Sequence, residues 1–277
     1  MDIYINGKTA DITLETEKTI GDLLSGIEDW LHSLGRRING LDIDGETVTG
    51  ADISSVFYRE LEGIGVVNIK VCPRSELALD ALYEARGFLT ARAKNEEQEN
   101  IARLWRAAPA ASFLRDETGQ LFRDIDAVFD SDETEGAVKA ERVITLVDER
   151  IREFLDPKEE LERIESLVTG IAERLEELPL DIQTGKDGRA AETVSVFSAI
   201  AEKLFRLFYL IQSGGQDLSG ILVDSSPVYD FLGEFNAALR ELLAAYESRD
   251  AVLVGDLAEY ELAPRLRSFY GALKVPA

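Results

Sequence analysis

The sequence predicts an α+β protein, in which a small domain of strands and one helix precedes a helical bundle. First, the opening 73 residues show short apolar–polar alternation bounded by glycine turns, a pattern typical of strands. Second, from residue 74 onward apolar residues recur at spacings of three and four, which indicates packed helices with short linkers. Third, the stretch 190–212 is apolar on most of its circumference, which predicts a central helix surrounded by partners.

The first predicted element is a β-hairpin around the turn Asn6-Gly7. Its alternating apolar residues are Ile3, Ile5, Ala10, Ile12 and Leu14. A helix follows, because Thr19 and Asp22 have the spacing of a capping box and Gly35 is a typical residue just beyond a helix end. One face of that helix carries the apolar residues Ile20, Leu23, Leu24, Ile27, Trp30 and Leu31. Strands are then predicted over 36–43 and 65–71, with a short irregular or helical stretch over 48–61 between them.

The order hairpin, helix, strand, short connection, strand resembles the ubiquitin-like β-grasp fold. The likeness covers residues 1–73 and rests on the order of elements, and it implies a small recognition or docking module. A ubiquitin-like protein that is conjugated or carries sulfur ends in a free Gly-Gly. Here the chain continues through Cys72-Pro73 into helices, so neither activity is implied.

Pro73 marks the predicted boundary between a domain 1–73 and a helical bundle domain 74–277, because proline is disfavoured inside central strands and helices. Helices are predicted over 75–93, 96–108, 111–129, 134–155, 157–178, 190–212, 227–248 and 250–273. Short connections predict antiparallel neighbours. Whether the helices form one bundle or two, with a seam near 130–157, stays open.

Two passages of this second part are similar to stretches of an uncharacterised bacterial family of helical proteins. They are Leu178-Pro-Leu-Asp-Ile-Gln-Thr-Gly-Lys-Asp-Gly-Arg189 and Val252-Leu-Val-Gly-Asp-Leu-Ala-Glu-Tyr-Glu-Leu-Ala-Pro264. That likeness implies no activity. The final two helices also resemble the flagellar export chaperones, which implies that a partner's helix could be bound there.

The chain is strongly acidic, with 30 Lys and Arg against 53 Asp and Glu and a net charge of −23. Such a charge disfavours nucleic acid and anionic lipid surfaces as partners, because binding them depends on neutralising phosphates. The single cysteine, Cys72, excludes an internal disulfide and a multi-cysteine zinc site. The sequence lacks a signal-peptide pattern and a membrane-spanning run, so we expect a cytoplasmic protein with no membrane insertion.

Two loops have partial resemblance to ligand-binding motifs. Thr184-Gly185-Lys186 lacks the earlier glycine and the following Ser or Thr of a phosphate loop, so a polar loop between helices is the preferred interpretation. The segment 130–141 has a faint calcium-loop spacing, but Glu135 stands where that loop needs glycine. A helix capped by Asp132 explains the same residues.

The sequence predicts no catalytic, metal or cofactor site. His32 is the only histidine, so a dinuclear site built on Glu-x-x-His repeats is excluded, and a pairing of His32 with Cys72 would require the two to meet in space. Acidic residue pairs are too abundant in this chain to be diagnostic.

Aromatic residues are concentrated in the last helices, where they form either a core or a groove that receives an apolar helix. These candidate partner-binding residues are Tyr229, Phe231, Phe235, Tyr246, Tyr260, Phe269 and Tyr270. We expect a non-catalytic interaction or adaptor protein whose partner is another protein. The alternatives are a small-ligand-binding protein or enzyme with an acidic pocket between helices, a helix binder of the flagellar-export-chaperone kind, and a homo-oligomer subunit.

Overall fold

The computed structural model describes residues 1–14, 16–49, 52–94, 98–214, 218 and 220–274. It shows an α+β chain, as predicted, that divides into two compact units, Met1–Ile151 and Arg152–Ala277. The domain boundary predicted at Pro73 stays a prediction. Whether the helices after it form one bundle or two, with a seam near 130–157, also stays open. No helix in the described part of the chain is long and apolar enough to span a bilayer.

The first unit opens with a five-stranded mixed sheet. Its strands are β1 (Asp2–Ile5), β2 (Lys8–Thr9), β3 (Arg36–Ile43), β4 (Glu46–Val48) and β5 (Val66–Pro73). They pair in the order β2-β1-β5-β3-β4, with β1 and β5 parallel and the other neighbours antiparallel. Asn6 and Gly7 both have positive φ, as the tight hairpin turn requires. This topology is that of the β-grasp fold which the element order resembles, although strand β4 was not predicted.

Helix α1 (Ile20–Ser33) packs across this sheet, and α2 (Ile53–Phe57) is a short helix before β5. The predicted capping box is present, because Thr19 accepts a hydrogen bond from the Asp22 backbone and the Asp22 side chain accepts from Thr19. Gly35 follows the helix with φ +64°. The apolar face of α1 lies in the core except for Trp30, which is 53% exposed.

Five further helices begin among the described residues of the first unit: α3 (Arg74–Ala93), α4 (Gln98–Ala107), α5 (Pro109–Thr118), α6 (Gln120–Asp130) and α7 (Glu133–Leu155). The single helix predicted over 111–129 is wrong, because Gly119 has φ +48° and divides it into α5 and α6. The predicted start of α4 at Glu96 lies outside the described residues. Trp105 is fully buried here and packs against Phe88, Phe122 and Phe129.

The second unit contains α8 (Pro157–Arg163), α9 (Glu165–Gln183), α10 (Asp187–Ser213), a hairpin of β6 (Leu222–Val223) and β7 (Ser226–Pro227), α11 (Val228–Glu247), α12 (Ala251–Asp256) and α13 (Ala263–Lys274). A π-helix, Leu257–Leu262, joins α12 to α13, so the predicted closing helix is not uniformly α-helical. The helix predicted over 157–178 is divided at Ile164 and extends beyond Pro179.

Helix α10 is the central helix that its composition predicts. Phe197, Leu204 and Phe208 are fully buried, and α10 contacts α8, α9 and α13. Phe235 of α11 and Phe269 of α13 are also fully buried and complete this core. Packing of apolar side chains around α10 therefore holds the second unit together.

Candidate functional site

The aromatic residues predicted to bind a partner divide between the core and the surface of the second unit. Phe231, Phe235, Phe269 and Tyr270 are at most 7% exposed. The ring centroids of the three phenylalanines lie 5.9 to 6.5 Å apart. The Tyr270 hydroxyl donates to the Leu161 carbonyl at 3.2 Å. These four side chains therefore build the interior of the unit.

The other three candidates are exposed: Tyr229 (46%), Tyr246 (44%) and Tyr260 (65%). Tyr229 and Tyr246 both lie on α11, about 25 Å apart along a helix that rises 1.5 Å per residue. Tyr229 packs against Phe208 with centroids 6.1 Å apart, whereas Tyr260 lies on the π-helix. A hydrogen bond to Glu259 raises the pKa of Tyr260. Tyr229 and Tyr246 therefore lie at opposite ends of α11, and partner binding by this group stays a prediction.

The first unit carries an open apolar groove of 730 Å³ between the chain after β2 and helix α1. We call it the α1 groove. It is lined on the strand side chiefly by Ile5, Ala10, Ile12 and Leu14, and on the helix side by Leu23, Gly26, Ile27 and Trp30. The charged residues at this groove are Lys8, Asp11 and Glu17.

Trp30 shows why the α1 groove is unusual. Leu23 and Ile27 precede it by seven and three residues on one face of α1 and are at most 4% exposed, yet Trp30 is 53% exposed. On the opposite wall Ala10, Ile12 and Leu14 are only partly buried. A contiguous apolar surface between two elements is characteristic of a binding site, because burying it against a partner removes it from water.

A second opening of 510 Å³ lies in the same unit. It is lined by residues of α1 and β3 on one side and of α3 and α5 on the other. Its charged lining consists of Glu28, Arg37, Asp80, Glu84 and Asp116. Arg37 donates to Glu28 at 3.2 Å. We call this opening the acidic pocket, since four carboxylates face one guanidinium there.

An ion network that sequence reasoning missed lies inside the second unit. Glu153 and Glu160 are at most 3% exposed, and Lys203 is 8% exposed. The Lys203 Nζ lies 3.1 Å from Glu160 Oε2 and 3.7 Å from Glu153 Oε1. Arg152 and Arg206 donate to the same carboxylates. Burial raises the pKa of Glu160, but hydrogen bonds from Lys203 and Arg152 outweigh burial and lower it. The network thus holds paired charges rather than a catalytic acid.

The calcium-like segment is a helix start. Asp132 accepts from the Glu135 backbone at 2.9 Å, which confirms the predicted cap of α7. The guanidinium of Arg92, which is 4% exposed, donates to the Ser131 and Asp132 carbonyls. A protein cation therefore already holds the carbonyl oxygens beside this turn.

The phosphate-loop-like passage is the predicted polar loop, since it joins α9 to α10. Lys186 of this loop and Arg189 at the start of α10 both contact one buried carboxylate. Lys186 and Arg189 lie 3.3 and 3.0 Å from the oxygens of Asp181, which is 2% exposed. These contacts fix the loop between the helices.

His32 and Cys72 occupy different environments. His32 is exposed in the last turn of α1, whereas Cys72 is buried on β5. Burial first, and then the carboxylates of Glu76 and Asp80, raise the pKa of the Cys72 thiol. This shift keeps the thiol protonated, which opposes nucleophilic reactivity. Among the described residues, no group of three or more His, Cys, Asp or Glu side chains is arranged to hold a metal ion.

The fold and these surfaces define an acidic α+β protein with an apolar groove beside its sheet. Residues 1–73 match a family model described as the TP0873 N-terminal domain, and residues 159–271 match a domain of unknown function, DUF8042. The chain is 22% identical over 267 residues to an uncharacterized protein of Treponema pallidum (strain Nichols). The aligned residues cover 96% of this chain and 93% of the relative. No solved structure matches. The expected likeness to an uncharacterised bacterial family is confirmed.

Proposed function

We propose that this chain is a non-catalytic protein-interaction or adaptor protein of the cytoplasm, and that a partner protein docks into the α1 groove. The observation that carries the proposal is Trp30, a large aromatic side chain on the core-facing side of α1 that remains 53% exposed. Tryptophan is enriched among the residues that dominate binding energy at protein interfaces. The partly buried Ile12 and Leu14 across the groove extend the apolar surface available to the partner.

Glycine 26 provides a direct test, because it lines the groove and an added Cβ there meets no atom within 4 Å. Gly26→Leu therefore places a side chain at the groove from a position where its Cβ meets no neighbour. Gly87→Leu is the matched control, since Gly87 is an exposed helical glycine of α3 whose added Cβ also meets nothing within 4 Å.

The three full-length proteins would serve as baits in a lysate of the organism that produces this chain. We expect one protein to be captured in equal amounts by the wild type and Gly87→Leu, and at least tenfold less by Gly26→Leu. Equal capture by all three baits would refute docking in the α1 groove.

The acidic pocket supports a second candidate function, the binding of a small cationic molecule. Four carboxylates line it, and Arg37 donates a hydrogen bond to one of them, Glu28. A thermal-shift screen with polyamines and other cationic metabolites tests this candidate. Binding of a cation in the acidic pocket predicts a rise in Tm for the wild type that is lost in Asp80→Asn/Glu84→Gln. An equal rise in both proteins would exclude the acidic pocket as the binding site.

The likeness of the last helices to flagellar export chaperones favours helix binding on the second unit as a further alternative. A partner helix would contact the exposed Tyr229, Tyr246 or Tyr260. Homo-oligomer formation is the remaining alternative, and the mass of the protein in solution tests it.

A further inference from the structure

The open edge of the sheet lies beside the α1 groove. In the order β2-β1-β5-β3-β4, strand β2 has a neighbour on one side only among the described strands. The Ala10 backbone N–H donates to the Ile3 carbonyl at 2.9 Å, so this residue faces β1. Because alternate residues of an antiparallel strand direct their N–H and C=O groups to opposite sides, Thr9, the last residue of β2, directs its groups to the open edge, and the same alternation extended past Ala10 gives Asp11 that direction as well.

The side chains of this segment alternate between the groove and solvent. Ala10, Ile12 and Leu14 are partly buried and line the groove, whereas Asp11 and Thr13 between them are exposed. This is the two-residue repeat of a strand, continued beyond the two residues of β2. An additional strand beside this segment would place every second side chain, about 6.6 Å apart, on the same face as Ile12 and towards α1.

The charge around the groove selects the kind of strand that fits. Asp11 and Glu17 line it together with Lys8, and residues 1–73 contain 6 basic and 13 acidic residues, a net charge of −7. A partner segment with Lys or Arg on its solvent-facing positions would be attracted, and an acidic one would be repelled.

We propose that the α1 groove binds an extended, basic segment of a partner protein, which adds to the open edge of β2 as a sixth strand and inserts alternate apolar side chains against Trp30. Main-chain hydrogen bonds to Thr9 and Asp11 would supply affinity, and the groove would select the apolar side chains. This inference rests on the proposed function, since it specifies the chemistry of the partner at the same surface.

The test uses capped synthetic peptides of about ten residues and the full-length protein. The parent peptide alternates Lys with Val or Leu. The second peptide is identical except for N-methyl groups on two consecutive central residues, which removes one hydrogen-bond donor from each edge of the strand. The third peptide has Glu in place of Lys. Binding is measured by calorimetry and by tryptophan emission, in which the exposed Trp30 responds and the fully buried Trp105 gives a constant background.

We expect the parent peptide to bind the wild type and Gly87→Leu equally and to shift the tryptophan emission to shorter wavelength. N-methylation, Glu in place of Lys, and Gly26→Leu should each weaken binding at least tenfold. Equal binding of the parent and N-methylated peptides would overturn strand addition.

Two results separate this inference from the proposed function. Failure of all three peptides to bind, while Gly26→Leu still abolishes capture of a partner from lysate, would overturn the extended basic segment and leave docking in the groove supported. Capture that is unaffected by Gly26→Leu would overturn both.

Discussion

Replacing Lys203 tests whether the buried ion network has the geometry described above. At an effective dielectric constant of about 20, attraction over 3.1 and 3.7 Å amounts to about 5 kcal/mol for each of its two carboxylate partners. Desolvating the ammonium group costs several kcal/mol, which offsets much of that attraction. Arg152 and Arg206 continue to neutralise Glu160 and Glu153 when Lys203 is absent. We therefore expect Lys203→Met to lower the free energy of unfolding by about 3 kcal/mol at pH 7.

Urea denaturation of the full chain at several pH values measures this loss and its pH dependence. The pKa of Glu160 is lowered in the folded protein, so its stabilisation is fully present above the unfolded value of about 4.3. It is lost as the pH falls through the lower folded pKa. The difference between wild type and Lys203→Met should accordingly be largest near pH 7 and should shrink below about pH 4.

Lys274→Met is the control for removal of an ordinary surface ion pair. Lys274 lies 2.9 Å from Glu165, but both side chains are more than a third exposed, so we expect a loss below about 1 kcal/mol. The double variant Lys203→Met/Glu160→Gln should be less destabilised than the sum of its single variants, because the two side chains are in direct contact and the double variant leaves no buried carboxylate at position 160 that has lost one of its cations. A loss for Lys203→Met as small as that for Lys274→Met would refute the reasoning.

Three further predictions concern folding and exposure. Gly26→Leu and Gly87→Leu should each raise the free energy of unfolding by about 0.7 kcal/mol, because leucine favours a helix more than glycine and an added Cβ meets no neighbour at either site. A lower Tm of either variant in thermal denaturation would contradict the open space at that site. Phe235→Ala should lower the free energy of unfolding by about 3–5 kcal/mol, whereas Tyr246→Ala, at an exposed position, should cost less than about 1 kcal/mol; similar losses in urea denaturation would contradict the different burial of the two rings. Acrylamide should quench Trp30 strongly and Trp105 weakly, so that Trp30→Phe removes most of the quenchable emission; unchanged quenching in that variant would show that Trp30 is covered in solution.

Local signals were sufficient to predict most of the elements. The Asn6-Gly7 turn and the Thr19–Asp22 capping box each depend on residues within a few positions of one another, and both are present. The predicted element order resembles a β-grasp fold, whose sheet order is observed, but the short strands β4, β6 and β7 were not predicted. Gly119 lies inside the helix predicted over 111–129, and the spacing of apolar residues could not show that its positive φ would end α5.

The surfaces and the ion network could not be predicted because they depend on residues distant in sequence. Lys203 meets Glu160 across 43 positions, and Arg206 meets Glu153 across 53. The helical pattern placed Trp30 with the buried residues of α1, whereas the structure leaves it 53% exposed at the α1 groove, opposite the segment 10–14. The α1 groove was not predicted, although an aromatic residue at the edge of the apolar stripe of α1 is a sequence signal that could have pointed to it.

Hydrogen–deuterium exchange of the full-length protein, alone and with the partner captured by the wild-type bait, tests the central claim most directly. Strand addition predicts new protection of the backbone at Thr9 and Asp11, together with reduced exchange in the part of α1 that contains Gly26 and Trp30. Protection confined to residues 228–262, with unchanged exchange over 8–14, would contradict the account. It would indicate that the partner binds at the exposed tyrosines of the second unit.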